Sequence, residues 1–357
     1  MKPSPLPPPK ILTAMAKDYF QTEVKWKILT GDGSSRQYFL FCPESYAKNA
    51  KEKPILGVYF QDEPANERFF HFSQSLKKQQ IPLANIYAFG QKTFFLLEYL
   101  GPSNLAQCLA EYDQNKDREK IFQAYLQILP WLKKIYFDGA QALKNFPDRI
   151  MNKPLYEKDG EYFLEHFVHY FSLQSFWKKE QQDALALCIE KLSHFPSFGF
   201  VSRDFQARNI MWQKEKPFFI DFQDAMLGPI TYDLASMLYA SSSYLKAEEQ
   251  EKLSQIYSQL VFEDASFSLP PIFKGYQTKK ELFFEEFYQV LLLRRLRSLG
   301  TYGNLGFRQA KKNFAAQLQP SLFKMFDFSA NPLYEGYMPI FHFLKRAKEK
   351  LQPLFEK

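Results

Sequence analysis

The sequence predicts an α+β protein in two lobes, a small β-rich N-lobe followed by a larger helical C-lobe. Three observations carry this. Between Glu23 and Leu97, short segments of β character are set apart by Gly31-Asp32-Gly33, Pro43, Pro54 and Gly90, the pattern of strands joined by turns. Beyond Gly101-Pro102 the apolar residues recur mostly at helical spacing. One β insert, around Ile210-Met211-Trp212 and Phe218-Phe219-Ile220, interrupts the helical half. A chain of 357 residues suits two or three units and can bury a large core without covalent staples. The expected division is a Pro-rich tail over residues 1–10, an N-terminal lobe over 11–100 and a helical C-terminal lobe over 101–357.

The elements follow in order. Met1 to Lys10 is half proline and reads as an extended or disordered tail. Leu12 to Phe20 reads as a short helix. Strands are expected at Glu23–Leu29, Gln37–Phe41, Ile55–Phe60 and Phe94–Leu97. Between the last two, Asn66 to Lys78 places Phe69, Phe72, Ser73 and Leu76 on one helical face. In the second half, Ile121–Phe137 is helical with a kink expected at Pro130. Further helices are expected at Tyr162–Phe171, Gln181–Phe195, Tyr232–Tyr244 and Lys280–Leu299, the last broken by Gly300-Thr301-Tyr302-Gly303-Asn304.

Composition removes several classes. No apolar run approaches the roughly 18 residues that a spanning helix needs. The proline-rich start lacks the apolar segment of a signal peptide, so the cytoplasm is the expected location. Cys42, Cys108 and Cys188 are odd in number, far apart, and free of any CxxC pair or Cys/His cluster, which argues against a disulfide framework or a zinc site. The 46 Lys and Arg exceed the 39 Asp and Glu by seven. The stretch Phe287 to Phe326 has no acidic residue and holds Arg294, Arg295, Arg297, Arg308, Lys311, Lys312 and Lys324, which equals the whole excess. The basic charge is therefore one local feature and not a diffuse nucleic-acid footprint. Neither a nucleic-acid nor a membrane partner is expected, and the chain is expected to be a monomer or weak dimer.

The most informative segment is Ser202-Arg203-Asp204-Phe205-Gln206-Ala207-Arg208-Asn209, followed by Phe219-Ile220-Asp221-Phe222-Gln223-Asp224. An Asp, an Asn five residues on, and a second Asp after a β hairpin are what metal-assisted phosphoryl transfer needs. One carboxylate orients the attacking hydroxyl; an amide oxygen and another carboxylate hold Mg²⁺ on the nucleotide phosphates. Kinase catalytic loops use this spacing. Asp204 is the candidate base, and Asn209 and Asp221 are the candidate metal ligands. Upstream, Thr30-Gly31-Asp32-Gly33-Ser34-Ser35-Arg36 lies between two expected strands. Its glycines allow close approach of the backbone, and Ser34 and Ser35 add donors, so it reads either as a phosphate-cradling loop or as an ordinary hairpin turn.

These segments, with Leu96-Leu97-Glu98-Tyr99-Leu100-Gly101, Gly228-Pro229 and Tyr232-Asp233-Leu234-Ala235-Ser236, resemble the aminoglycoside-phosphotransferase/choline-kinase superfamily. Within it they look most like the bacterial anomeric N-acetylmuramate/N-acetylglucosamine kinases of cell-wall recycling, over about Leu29 to Phe314. The resemblance implies a two-lobed protein-kinase-like fold, a nucleotide-binding first lobe, ATP and Mg²⁺ as cofactors, and phosphorylation of an amino-sugar hydroxyl to a sugar 1-phosphate. It places adenine against the backbone near Glu98 and Leu100, and phosphates against Gly31, Gly33, Ser34 and Ser35. Two departures stand out. Ser202 precedes Arg203 where such loops usually carry His, and the third strand, Gly57-Val58-Tyr59-Phe60, has no Lys for the nucleotide phosphates. The sequence Asp62-Glu63-Pro64 that follows matches the sugar kinases, and Arg36 is a candidate replacement cation.

Other residues keep two readings. Asp233 is either a further catalytic carboxylate or a helix-start residue bonding exposed N–H groups and propping the catalytic loop. Arg208 and Asp224 are candidate substrate contacts, Asp224 alternatively standing behind the metal. One or more of Arg294, Arg295 and Arg297, with Arg294 and Arg297 the candidate substrate contacts, either meets an anionic acceptor group such as a lactyl carboxylate, or the three form a solvated face or pair with acidic residues of other helices. His166 and His169 read as aromatic packing rather than metal ligands. The alternative functions are a kinase for an amino alcohol or aminoglycoside, and a non-catalytic nucleotide-binding regulator.

Overall fold

The computed structural model describes residues 7–29, 36–44, 53–263, 270–273, 275, 280–327 and 329–356. The segment Thr30 to Ser35, with the candidate residues Gly31, Gly33, Ser34 and Ser35, and most of the Pro-rich tail lie outside them. The chain divides into two compact units. The first is Met1–Cys108 with Arg208–Asp224, and the second is Leu109–Ala207 with Ala225–Lys357.

The first unit is built on a five-stranded antiparallel sheet. Its strands are β1 (Val24–Leu29), β2 (Gln37–Pro43), β3 (Ile55–Tyr59), β4 (Ile86–Gly90) and β5 (Phe94–Glu98), in the order β1-β2-β3-β5-β4. Strand β4 was absent from the sequence reading. It is a five-residue edge strand with a register shift, and it has no long alternating run to announce it. Alternation sorts the side chains onto two faces. Phe39, Phe41, Ile55, Phe94 and Leu96 pack with Leu12 and Ala16 of α1 (Lys10–Phe20). Val58, Phe95 and Leu97 face the other way, against Phe69 and Phe70 of α2 (Glu63–Lys78). Asp62 caps α2 by accepting from Ala65 N at 2.9 Å, and Pro64 sits in its first turn, where a missing N–H costs nothing.

The β insert also belongs to this unit. β6 (Gly199–Val201) lies elsewhere, but β7 (Ile210–Gln213) and β8 (Lys216–Phe219) form an antiparallel hairpin. Its two-residue turn, Lys214-Glu215, has φ of 48° and 59°. Positive φ at both positions is the geometry whose twist matches a tight hairpin. Trp212 N donates to Ser103 O at 3.1 Å, Phe219 N donates to Pro82 O at 2.9 Å, and Phe222 stacks on Phe69 at 5.3 Å.

The second unit is mainly helical. After α3 (Leu105–Gln114), which crosses the division, come α4 (Arg118–Gly139), α5 (Lys153–Phe163), α6 (Lys179–His194), α7 (Tyr232–Leu238), α8 (Ala247–Phe262), α9 (Lys280–Thr301) and α10 (Met338–Phe355). β6 pairs with β9 (Met226–Gly228) as a short ribbon. Pro130 lies inside α4, which continues past it. Helix α9 is buried on most sides, so its sequence has no single apolar stripe. It carries two charges inward, each hydrogen-bonded, although Arg295 Nε is buried without a partner among the described residues. Glu286 accepts from Thr231 N at 3.0 Å and Thr231 Oγ1 at 2.7 Å, while Arg295 donates to Tyr239 O at 3.0 Å and Ser321 O at 2.8 Å.

Two expectations are corrected here. The helix beginning at Tyr232 ends at Leu238 and not at Tyr244. Its end is held by other groups: Gln250 Nε2 donates to Leu238 O at 3.0 Å, and Tyr125 Oη donates to Ser243 O at 2.9 Å within a serine run that favours local bonding over helix. The expected break at Gly300 is also absent. Helix α9 runs through Thr301 into a π-helical stretch, Tyr302–Arg308. The glycines serve contact instead of termination. A Cβ at Gly300 would lie 2.9 Å from Tyr162 O, and one at Gly303 would lie 1.9 Å from His166 O. Gly303→Ala is therefore expected to lower stability by roughly 3 kcal/mol, the upper range for overpacking. An unchanged denaturation midpoint would show that the two segments tolerate separation. No helix among the described residues is long and apolar enough to cross a membrane.

Candidate active site

In the first unit, the hairpin fixes the candidate metal ligands. Asn209 precedes β7 and Asp221 follows β8. Ile220 N donates to Asn209 O at 3.1 Å, which closes the open end of the hairpin. The two side chains are consequently neighbours, with Asn209 Nδ2 at 3.5 Å from Asp221 Oδ2. Asp221 has φ of 64°, a left-handed conformation that a non-glycine residue adopts only when its surroundings demand it. Its Oδ1 accepts from Arg36 Nη1 at 3.1 Å and from Gln223 Nε2 at 2.9 Å. Arg68 braces the segment, donating from Nε to Gln223 O at 3.0 Å and lying 3.6 Å from the exposed Asp224 carboxylate. A carboxylate and an amide are hard oxygen donors, and Mg²⁺ commonly takes only one or two protein ligands beside phosphates and water. The donor set fits that ion.

In the second unit, the loop carrying Asp204 is held on both sides of one residue, Arg203. Asp233 accepts from Ser202 N at 2.6 Å and Arg203 N at 3.1 Å. Arg294 Nη1 donates to Arg203 O at 2.9 Å, with its guanidinium 4.5 Å over the Tyr232 ring. Between these anchors Arg203 has φ of 71°, again left-handed. Gln206 Nε2 donates to Asp204 Oδ1. Asp233 is buried, and burial pushes its carboxyl up to about 6, against the opposing pull of the Ser202 N–H and Arg294. The N–H groups that it satisfies belong to the Asp204 loop, so it props that loop.

The remaining candidates divide. Arg297 Nε pairs with the buried Asp159 at 2.6 Å, and its guanidinium lies 5.5 Å from the Tyr162 ring. Arg308 pairs with exposed Glu165 at 3.3 Å. Arg208 lies in the short turn Ala207–Asn209. The Glu98 carboxylate accepts from Asn85 Nδ2 at 2.6 Å at the end of β5, and Leu100 is buried. His166 is buried with its ring 4.4 Å from Tyr162, while His169 is exposed; no metal-binding cluster of three or more His, Cys, Asp or Glu occurs among the described residues.

Four supporting residues were missed in the sequence: Gln206, Gln223, Arg68 and, for its actual partner, Arg294. The two glutamines had a signal. Each stands two residues past a key aspartate, and that spacing puts side chains on one side of an extended segment. Arg68 and Arg294 act on residues 155 and 91 positions away, beyond any local pattern.

A model of the phosphotransferase enzyme family matches residues 54–266, more than half of the chain. Three curated relatives match, each named N-acetylmuramate/N-acetylglucosamine kinase, and the chain spans 33% to 63% of their length. The one from Pseudomonas aeruginosa is 27% identical over 235 residues, covering 65% of this chain and 63% of that protein. Among solved structures, choline kinase from Cryptosporidium parvum superposes with a TM-score of 0.59 at 12% identity, over 94% of this chain and 99% of that one. An ADP-bound aminoglycoside phosphotransferase gives 0.50 at 16% identity, over 80% and 97%. These likenesses show the protein-kinase-like fold expected from the sequence.

Proposed function

The chain belongs to the phosphotransferase enzyme family, and from that premise we propose that it is an ATP- and Mg²⁺-dependent kinase for the anomeric hydroxyl of N-acetylmuramate or N-acetylglucosamine. The observation that carries the reaction class is the Asn209–Asp221 pair, set by a closed hairpin immediately after the Asp204 loop. The acceptor class rests on the shared name of the three relatives. ADP bound to a protein of like fold supports an adenine nucleotide as donor.

Asp204 orients the sugar hydroxyl and receives its proton as the bond from the hydroxyl oxygen to the γ-phosphorus forms and the bond from that phosphorus to the departing ADP oxygen breaks. Asn209 and Asp221 would hold Mg²⁺, which when bound would offset the charge of the nucleotide phosphates. The backbone at Glu98 to Leu100 receives adenine, and Gly31, Gly33, Ser34 and Ser35 receive the phosphates. On the acceptor side, Arg294 and Arg297, with Arg208 and Asp224, are the candidate contacts.

The test offers Mg-ATP with N-acetylmuramate, N-acetylglucosamine, choline and an aminoglycoside. Transfer to an amino sugar, with the new phosphate on the anomeric carbon, is the expected result. Faster transfer to a cationic acceptor would replace the sugar reading, and absence of transfer to any acceptor would remove the kinase reading.

A further inference from the structure

Asp221, the carboxylate assigned above to the metal, already has a cation beside it. Arg36 Nη1 lies 3.1 Å from its Oδ1, and the Arg36 side chain is only 14% exposed. The arginine is anchored as well as paired, because its guanidinium lies 4.8 Å over the ring of Phe60. Strand register explains the anchor. Gln37 pairs with Tyr59 across β2 and β3, so the next residue outward on each strand, Arg36 and Phe60, sit at the same end of the pair. Strand β3, Ile55–Tyr59, contributes no cationic side chain. A kinase places a lysine of this strand on the α and β phosphates. In this unit, Arg36 is the cation that sits at the end of β3 and against the metal carboxylate.

One guanidinium and one divalent cation compete for the same carboxylate, Arg36 holding its Oδ1 while Asn209, the other proposed ligand, lies on its Oδ2 side, since the two cations repel each other by like charge. A nucleotide brings several negative charges, which a planar guanidinium binds well in bidentate fashion. We infer that Arg36 is a two-position residue. In the nucleotide-free chain it neutralises Asp221; with nucleotide and metal present it yields Asp221 to the metal and moves onto the phosphates, supplying the charge that β3 lacks. The inference rests on reading Asn209 and Asp221 as the metal ligands. Its thermodynamic consequence is cooperation between metal and nucleotide. Metal alone must displace Arg36 without giving it a new partner. With both present, Arg36 exchanges one anion for another, and by linkage each ligand strengthens the other's binding.

Titration calorimetry on the full chain tests this without turnover. The titrants are Mn²⁺ alone and a non-hydrolysable ATP analogue with Mg²⁺, applied to wild type, Arg36→Met and Arg36→Lys. Arg36→Met is expected to bind Mn²⁺ alone about tenfold more tightly, and the Mg-nucleotide about tenfold less tightly, the scale of one charge-assisted contact. Arg36→Lys retains a cation and is expected to fall between. If wild type binds Mg-nucleotide but Arg36→Met leaves Mn²⁺ affinity unchanged or weaker, the exchange is overturned and the site reading stands. If wild type binds no Mg-nucleotide, both are overturned.

Discussion

Asp204→Asn is expected to lower kcat by about 10³-fold, within the range for loss of a positioned general base, while Kd for Mg-nucleotide stays within about twofold. The amide keeps the size of the carboxylate and leaves an oxygen for Gln206 Nε2. It cannot take the hydroxyl proton. The nucleotide and metal contacts proposed above lie on other residues, so the loss should appear in the transition state and not in ground-state binding. Equal falls in kcat and kcat/KM are the corresponding kinetic signature. Steady-state kinetics with the amino sugar, together with calorimetry of the nucleotide complex, check both halves. Near-normal turnover would take Asp204 out of the reaction.

The second large effect is expected at Asp233, which touches neither acceptor nor nucleotide in the proposed scheme. Asp233→Ala leaves two N–H groups, of Ser202 and Arg203, without their acceptor, and removes the carboxylate that Arg294 faces. Breaking a buried charged network of this kind costs about 3–5 kcal/mol. Arg203 loses one of the two anchors that hold its left-handed backbone, so Asp204 loses its aim and kcat falls as well. The pH dependence separates this from simple cavity formation. Burial holds the Asp233 carboxyl near 6, above the ordinary aspartate value, with Arg294 and the Ser202 N–H opposing the rise and Tyr257 also nearby. Between about pH 4 and 6 the folded chain keeps a proton that the unfolded chain has released. The contribution is full below the unfolded value, declines as pH rises through this window, and is constant above it. Asp233→Asn has no such proton. The stability of wild type relative to Asp233→Asn should therefore drop from pH 4 to pH 6 and level off. Denaturant titrations across that range measure it, and a pH-independent difference would contradict the buried-carboxyl account.

Much of this was readable from residues alone, and the reasons differ from place to place. Strands β2, β3 and β5 showed themselves as short apolar runs between turn residues, because the sheet packs on a different helix on each face. The grouping of Asp204, Asn209 and Asp221 was legible because all three lie in one short segment, a loop followed by the β7–β8 hairpin. Glycine was less readable. Gly300 and Gly303 looked like a helix end, but they let α9 and its continuation approach the backbone of Tyr162 and His166, and a sequence does not say whether a missing side chain serves a turn or a contact. The basic stretch shows the same limit. Of its three clustered arginines, Arg295 turns inward to two carbonyl groups, Arg294 holds the Asp204 loop, and Arg297 pairs with Asp159. Their spacing on α9 was visible, but the identity of the groups across from them was not.

The excursion of residues 208–224 into the first unit has a bearing on synthesis. A ribosome delivers Met1–Cys108 well before it delivers the β7–β8 hairpin that completes the same unit. At typical elongation rates of about 5–20 residues per second, the gap is on the order of ten seconds. During it, Phe69 lacks its Phe222 partner, and Pro82 O and Ser103 O lack their donors. The nascent N-terminal unit must therefore survive unfinished while the mainly helical segment Leu109–Ala207 emerges behind it. Its final closure is a late event in translation, not the early, self-contained step that its position in the chain implies.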